Sequence, residues 1–197
     1  YQLRKEIEQH GMSLTGFHAL LFTRPDLNLF QSNSSRQETF VYLSNLASLC
    51  AEMGGRNLIL GSPNNRMLCG LDYDYCFKTA TDFFGKLAHV CQENGVKFCI
   101  EPLPKEQTNF ISSAIEGERL VQAVNHPYFC LHLDASALRK ESEKPEIIIS
   151  KIITPEHFHV NDPNLNIPGS STQDLELMIQ SLWRKNYQGF VSIEVTT

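Results

Sequence analysis

YFCLHLDASAL, residues 128–138, combines an apolar run with an acidic end. The run from Tyr128 to Leu133 is typical of a buried strand, and Asp134 follows it directly, ahead of small residues. The pattern recurs three times: KFCIE ends at Glu101, HFHV contains His159, and VSIE ends at Glu194. Because four buried strands each carry a polar side chain at their end, we expect these side chains to act together at one edge of a sheet.

Around this stretch, helical and strand patterns alternate along the chain. The apolar spacing predicts helices over residues 1–10, 35–53, 74–94, 114–124, 145–149 and 173–185. Apolar runs predict strands over residues 12–22, 57–61, 96–101, 128–134, 157–162 and 189–195. Uninterrupted apolar strands that alternate with helices indicate a parallel sheet that is buried on both faces.

The strand–helix repeat of roughly 30 residues favours a β/α barrel. Neither GxGxxG nor GxxxxGK[ST] opens a helix, so the main signal of a nucleotide-binding doubly wound fold is missing. We find no linker and no low-complexity segment, and residues 1–197 are therefore predicted to form a single domain. The strands of a barrel run the same way, so their four polar ends are expected to meet on one face.

The composition is that of a soluble globular protein, with 42% hydrophobic and 20% charged residues. The net charge of −5 and the lack of a basic block disfavour nucleic-acid binding, and no apolar run reaches the length of a membrane span. The polar N-terminus does not resemble a signal peptide, and its lack of Met indicates processing or trimming. The six cysteines contain no CxxC and favour free thiols in a reducing cytoplasm.

A divalent metal ion is the hypothesis that best explains the four strand ends. Glu101, Asp134, His159 and Glu194 offer hard oxygen donors and one imidazole, which suits Mn²⁺ best and also Mg²⁺, Co²⁺ or Zn²⁺. The alternative is that each carboxylate caps a helix or sits in a loop. His132 and His157 alternate with apolar residues, and both are interpreted as structural histidines with satisfied hydrogen bonds.

The motifs CIEPLP, LHLDAS, HFHVND and GFVSIEV, together with GFHALLFTRPDLNLF, resemble the sugar phosphate isomerase/epimerase group. This group belongs to the xylose-isomerase-like TIM barrel superfamily, with ketose 3-epimerases, inosose dehydratases and apurinic-site endonucleases. The resemblance covers nearly the whole chain and implies an α/β fold of the (β/α)8 TIM barrel type.

The resemblance implies one bound divalent metal ion, held by Glu101, Asp134, His159 and Glu194. It implies that Glu101 and Glu194 are also the catalytic acid/base pair, one on each face of the substrate carbon. The expected activity is that of an isomerase or epimerase of carbohydrate metabolism, which acts on a sugar or polyol through an enediolate. The expected partner is thus a small molecule, for a cytoplasmic enzyme that is a monomer or a homo-oligomer.

The chain departs from the epimerase pattern at three residues that hold sugar hydroxyls in the family. Ala137 stands where the family has His, Gln107 where it has Glu, and Leu165 where it has Arg. Gln107 remains a candidate for substrate binding. Further candidates lie at or just beyond strand ends, with His18 the best of them: His18, Arg24, Asn64, Arg66 and Lys105.

The barrel also looks incomplete. The first clear strand aligns with the family's second, so strand one is missing, as is the last helix after Glu194. The seventh strand is reduced to a vestige near Asn166–Pro168. The chain is either a fragment, or a partner or irregular segment covers the gap, since an open seam exposes sheet edges.

Three other functions are weighed against the isomerase. An apurinic-site endonuclease is disfavoured, because residues 163–175 contain no His and the chain is acidic. A dehydratase or lyase would use the same residues to eject a β-hydroxyl, and only product analysis separates it from an epimerase. A catalytically silent barrel that serves as a binding module would explain the lost sugar-holding residues.

Overall fold

A computed structural model of the chain describes residues 2–169 and 172–196. Within them, six parallel strands form one curled sheet, in which each strand lies beside its neighbours in the sequence. The strands are β1 (Gly16–Phe17), β2 (Asn57–Leu60), β3 (Lys97–Ile100), β4 (Phe129–Asp134), β5 (His157–Val160) and β6 (Phe190–Ile193). The prediction of an incomplete α/β barrel is confirmed.

Helices connect the strands and cover the outer face of the sheet. They are α1 (Gln2–Gln9), α2 (Asn33–Glu52), α3 (Tyr73–Asn94), α4 (Ala114–Val124), α5 (Ala135–Leu138), α6 (Pro145–Lys151) and α7 (Thr172–Arg184). Side-chain caps fix where three of them begin: Ser32, Asp72 and Ser113 accept hydrogen bonds from backbone N–H groups of α2, α3 and α4. No helix in the described ranges is long and apolar enough to cross a membrane.

The main hydrophobic core lies between the sheet and helices α2 to α4. Phe84 of α3 is fully buried, and its ring centroid lies 5.6 Å from that of Phe98 and 4.8 Å from that of Phe129. Phe98 and Phe129 therefore point outward from the curled sheet. Because side chains alternate along a strand, Cys99 and His132 point to the opposite, concave face, where the polar residues of the strands collect.

The predicted strand over residues 12–22 is wrong in extent, because only Gly16–Phe17 is strand. Residues after it form a turn, in which Phe22 N–H donates to Ala19 O and Ala19 has a φ of 53°. The Ser62 hydroxyl accepts the Leu21 N–H at 3.1 Å, which replaces a strand partner. The apolar residues here belong to a loop in which Leu20 and Leu21 are buried, and not to a longer strand.

Near Asn166–Pro168, where at best a vestige of a strand is predicted, the structure has no strand. Strand β6 pairs directly with β5, with Phe190 opposite His157, so no strand lies between them. Asn166 forms only an isolated antiparallel bridge with Asp162. Pro168 lacks the N–H that a central strand must donate, which disfavours pairing there. Ser170 and Ser171, which follow this segment, lie outside the described residues.

The sheet is open between β6 and β1 in the described part of the chain. Apolar side chains of β6 are exposed beside this opening, among them Val191 and Ile193. Strands β3, β4, β5 and β6 are consecutive neighbours, so the four polar strand ends lie side by side along one rim.

Candidate metal centre

The four side chains singled out by their strand ends come together at the carboxyl rim of the sheet. One ligand atom from each of Glu101, Asp134, His159 and Glu194 can be chosen so that all lie within 4.8 Å of one another. The first three side chains are buried, and Glu194 is half-buried. The arrangement follows from the register, because Asp134 is opposite His159, and Glu194 N–H donates to Val160 O next to it.

Two hydrogen bonds fix the carboxylate of Asp134. Its Oδ1 accepts the Ala137 N–H at 2.7 Å, which makes Asp134 the N-cap of α5. Its Oδ2 accepts the Asn161 side-chain amide at 2.6 Å. Asp134 is thus both a helix cap, which was the alternative interpretation of the strand ends, and a member of the cluster. Burial raises the pKa of Asp134, and these two hydrogen bonds oppose that rise.

Glu194 has a histidine neighbour at each of its carboxylate oxygens. Its Oε2 lies 3.0 Å from His159 Nδ1, and its Oε1 lies 3.4 Å from His18 Nδ1. These hydrogen bonds to His159 and His18 lower the pKa of Glu194 to about 2. The same contact with Glu194 raises the pKa of His18. Glu194 is therefore ionised at neutral pH.

Glu101 has the opposite environment. It is almost fully buried, and burial, with the charges of Asp134 and Glu194, raises its pKa well above the usual value. Gly61 makes room for it, since a Cβ at that position would lie 2.4 Å from Glu101 Oε2. Behind it, Arg66 Nη2 donates to the backbone oxygen of Glu101 at 2.7 Å.

The donor set fits a hard divalent cation. Three carboxylates and one imidazole are gathered in a small volume, and the repulsion between the carboxylates is visible in the raised pKa of Glu101. A bound dication would offset this repulsion, because opposite charge favours the ionised form. Oxygen-rich sites with one His suit Mn²⁺ and related ions, and these four residues would hold it.

Two further histidines lie beside this cluster on the concave face. His132 and His157 are buried, and their Nδ1 atoms are 3.2 Å apart. His157 Nε2 also lies 3.0 Å from the Ser192 hydroxyl, as expected for a satisfied structural histidine. His132 Nε2 has no hydrogen-bond partner in the described part of the chain and lies 3.8 Å from Glu101 Oε1. Burial lowers the pKa of His157 to about 4 and lowers that of His132 well below its usual value.

A cleft of about 450 Å³ opens above the cluster. Residues from six successive loops and strand ends line it, including Glu101, Asp134 and Glu194. The other lining residues are His18, Ala19, Phe22, Gly61, Ser62, Pro63, Leu103, Pro104, Gln107, Ser136, Ala137, Lys140, Asn164 and Leu165. Such a partly apolar cleft with a few converging polar groups is the usual form of a small-molecule site.

Of the residues expected to contact substrate, the structure brings His18 and Gln107 to the cleft. Arg66 is instead buried behind Glu101, and its burial lowers its pKa to about 10. Lys105 is exposed and lies outside the lining of the cleft within the described residues. Arg24 is paired with Asp26 at 2.6 Å, also away from the cleft.

The three departures from the epimerase pattern all face this space. Ala137, Gln107 and Leu165 line the cleft. Sequence reasoning missed Asn161, although the HVND motif contains it, and missed Lys140, which follows the LHLDAS motif by only a few residues. Both residues lie close in sequence to a predicted metal ligand, and this proximity could have identified them.

The sequence was compared with models of known protein families. The family model described as xylose isomerase-like TIM barrel matches residues 1–197, and the chain belongs to this family. A search of curated protein sequences finds no match.

Solved structures share the fold at low sequence identity. A 3-keto-D-glucoside 4-epimerase from E. coli has a TM-score of 0.86 and 18% identity, over 100% of this chain and 77% of that one. A D-psicose 3-epimerase, in the presence of D-fructose, has a TM-score of 0.83 and 18% identity, over 99% and 68%. An IOLI protein with a binding zinc atom has a TM-score of 0.73 and 16% identity, over 98% and 83%. At such identities the likeness is one of fold.

Proposed function

We propose that the protein is a divalent-metal-dependent isomerase or epimerase that acts on a sugar or a related polyol. The observation that carries this proposal is the cluster of Glu101, Asp134, His159 and Glu194, whose ligand atoms lie within 4.8 Å of one another; all of these residues except His159 line the cleft. The family membership and the two epimerases that share the fold support the reaction class.

The four residues of the cluster would hold one divalent ion, with Mn²⁺ the first choice and Mg²⁺, Co²⁺ or Zn²⁺ as alternatives. Such an ion would stabilise negative charge on adjacent oxygens of a substrate when its carbon is deprotonated. Asn161 and the Ala137 N–H would keep Asp134 in a fixed orientation, as the supporting hydrogen bonds of metal ligands do.

Glu101 and Glu194 would exchange protons with the substrate carbon. Their environments push their pKa values in opposite directions, upward for Glu101 and downward for Glu194. Such a pair suits a reaction in which one carboxylate removes a proton and the other returns one from the opposite side. In this scheme one of the two glutamates accepts the proton from one face of the carbon, and the other donates a proton to the opposite face.

The remaining residues of the cleft would orient the substrate. His18 and Gln107 would bind hydroxyl or carbonyl oxygens, because both have polar atoms at the cleft surface. Arg66 would act through Glu101, whose backbone oxygen it binds. Ala137 and Leu165 are apolar, and they favour a substrate that presents few hydroxyls to their part of the cleft.

Exchange of a carbon-bound proton with D₂O tests the reaction class. EDTA-treated protein would be reloaded with Mn²⁺ and incubated with D-fructose, D-psicose, D-tagatose, L-ribulose and inososes, with deuterium read by NMR. We expect metal-dependent deuterium incorporation and an epimeric product, both lost in Glu101→Gln and kept in Glu106→Gln, an exposed loop control.

The products separate this proposal from its rivals. Deuterium exchange followed by loss of water would assign the same residues to a dehydratase. A folded, metal-loaded protein that exchanges no proton in any of these compounds would contradict the epimerase proposal and favour a binding module.

A further inference from the structure

We propose that His132, His157 and His159 form a second metal position, made of imidazoles alone, beside the carboxylate-rich one. The ion it would take is a borderline transition metal such as Zn²⁺. This inference does not depend on the proposed isomerase activity, since the imidazole set shares only His159 with the carboxylate-rich set and has its own test.

The three rings lie against one another on the concave face. Their centroids are 4.2 Å apart for His132 and His159, 5.0 Å for His157 and His159, and 5.2 Å for His132 and His157. One nitrogen from each can be chosen so that all three lie within 4.8 Å of one another. All three side chains are buried, so they are held in place by packing.

The closest pair of nitrogens already has the spacing of a metal site. His132 Nδ1 and His157 Nδ1 are 3.2 Å apart. Two imidazole nitrogens bound to a tetrahedral Zn²⁺ at about 2.0–2.1 Å lie roughly 3.3 Å from each other. Both nitrogens could therefore bind one ion with almost no movement of the backbone.

The outer nitrogens of the same two rings face groups that accept hydrogen bonds. His157 Nε2 lies 3.0 Å from the Ser192 hydroxyl. His132 Nε2 is buried, has no hydrogen-bond partner in the described residues, and lies 3.8 Å from Glu101 Oε1. Metal-binding histidines usually donate their other N–H to a carboxylate or similar acceptor, which leaves the inner nitrogen free for the ion. If an ion bound between the two Nδ1 atoms, the Nε2 atoms of both rings would be free to donate their N–H groups in this way.

A route for the ion is present at the open side of the sheet. A cavity of about 290 Å³ lies between β1 and β6, and His157, His159 and Ser192 line it. It provides a fourth position for water or a small ligand, as in zinc sites with three protein ligands. Three imidazoles favour Zn²⁺, Cu²⁺, Ni²⁺ or Co²⁺, whereas carboxylates favour Mg²⁺ and Mn²⁺. The imidazole set is therefore expected to prefer Zn²⁺, and the carboxylate-rich set to prefer Mn²⁺.

The test compares Zn²⁺ and Mn²⁺ binding by the EDTA-treated chain and two variants. His157→Gln removes an imidazole ligand only, and Asp134→Asn removes a carboxylate ligand only. We expect His157→Gln to weaken Zn²⁺ binding, measured against a chromophoric chelator, by more than about tenfold while Mn²⁺ binding stays unchanged. In Asp134→Asn we expect the reverse, with Mn²⁺ binding lost, Zn²⁺ retained, and added Co²⁺ showing the intense visible absorption of four-coordinate cobalt.

Two outcomes would overturn the inference: equal Zn²⁺ affinity in wild type and His157→Gln, or loss of Zn²⁺ together with Mn²⁺ in Asp134→Asn. If circular dichroism shows that His157→Gln does not fold, Ser192→Ala is the second variant, because Ser192 lies on the edge strand β6. Loss of the Ser192 hydroxyl should weaken Zn²⁺ binding by about tenfold. Absence of Mn²⁺ binding in wild type would count against the proposed function alone.

Discussion

The side-chain amide of Asn161 donates a hydrogen bond of 2.6 Å to the carboxylate of Asp134, across the boundary between β4 and β5. Asn161 is fully buried and immediately follows the strand that carries His159. It therefore orients one proposed metal ligand from the strand of another.

Loss of this amide should weaken metal binding without removing a ligand. We expect Asn161→Ala to lower Mn²⁺ affinity by about 10- to 100-fold, the usual effect of removing a hydrogen bond to a metal ligand. Calorimetric titration measures it. Asn166→Ala is the matched control, because that exposed amide binds only the Pro163 oxygen among the described contacts. Equal losses in both variants would argue against a specific role for Asn161.

The absence of a side chain at Gly61 should be required for the position of Glu101. In Gly61→Ala the new Cβ would meet Glu101 Oε2 at 2.4 Å, so the carboxylate must move. We expect the variant to fold and to lose most of its Mn²⁺ affinity. Gly85→Ala is the control, since nothing lies within 4 Å of its Cβ and alanine should stabilise that helix by about 0.5–1 kcal/mol. Full Mn²⁺ affinity in Gly61→Ala would show that Glu101 does not bind the ion as proposed.

The ion pair of Arg139 and Asp174 should make stability depend on acid pH. Hydrogen bonds from Arg139 lower the pKa of Asp174 below its usual value. Such a carboxylate stabilises the fold above its unfolded-state pKa and loses this contribution as the pH falls through its folded-state pKa. Because Asp174 is partly exposed, we expect Asp174→Asn to cost about 1 kcal/mol or less at pH 7. Urea denaturation should show no difference once both states are protonated, and a difference that persists there would exclude this cause.

The aromatic core should contribute far more to stability than the exposed rings. Phe84 is fully buried between Phe98 and Phe129, so Phe84→Ala should lower the free energy of unfolding by about 3–5 kcal/mol. Phe22, which is 80% exposed, should change it by less than about 0.5 kcal/mol when replaced by Ala. Chemical denaturation of the two variants provides the comparison. Similar losses would mean that the core does not lie where the structure puts it.

The strand ends could be predicted because their signal is local. The apolar runs that lead to Glu101 and Asp134 have the pattern of buried strands, and a parallel sheet brings such ends to one rim. The strand predicted over residues 12–22 was wrong for the same reason. Leu20 and Leu21 are as buried as strand residues, but they lie in a turn that is held by a hydrogen bond to Ser62. An apolar run reports burial, and burial alone does not distinguish a strand from a covered loop.

The supporting residues of the site could not be predicted, because their partners come from other strands. Arg66 has the sequence context of a solvated loop arginine, yet it is buried against the backbone of Glu101. Asn161 and Gly61 act only through contacts with Asp134 and Glu101, and no local pattern carries that information.

The central claim is that Glu101, Asp134, His159 and Glu194 hold one divalent ion. Its most direct test is a calorimetric titration of EDTA-treated protein with Mn²⁺, beside Glu194→Gln and the exposed control Glu106→Gln. We expect one ion per chain in wild type and control, and binding that is lost or strongly weakened in Glu194→Gln. A folded wild-type protein that binds no Mn²⁺, or that binds it as tightly after Glu194→Gln, would show that these four residues do not form the metal site.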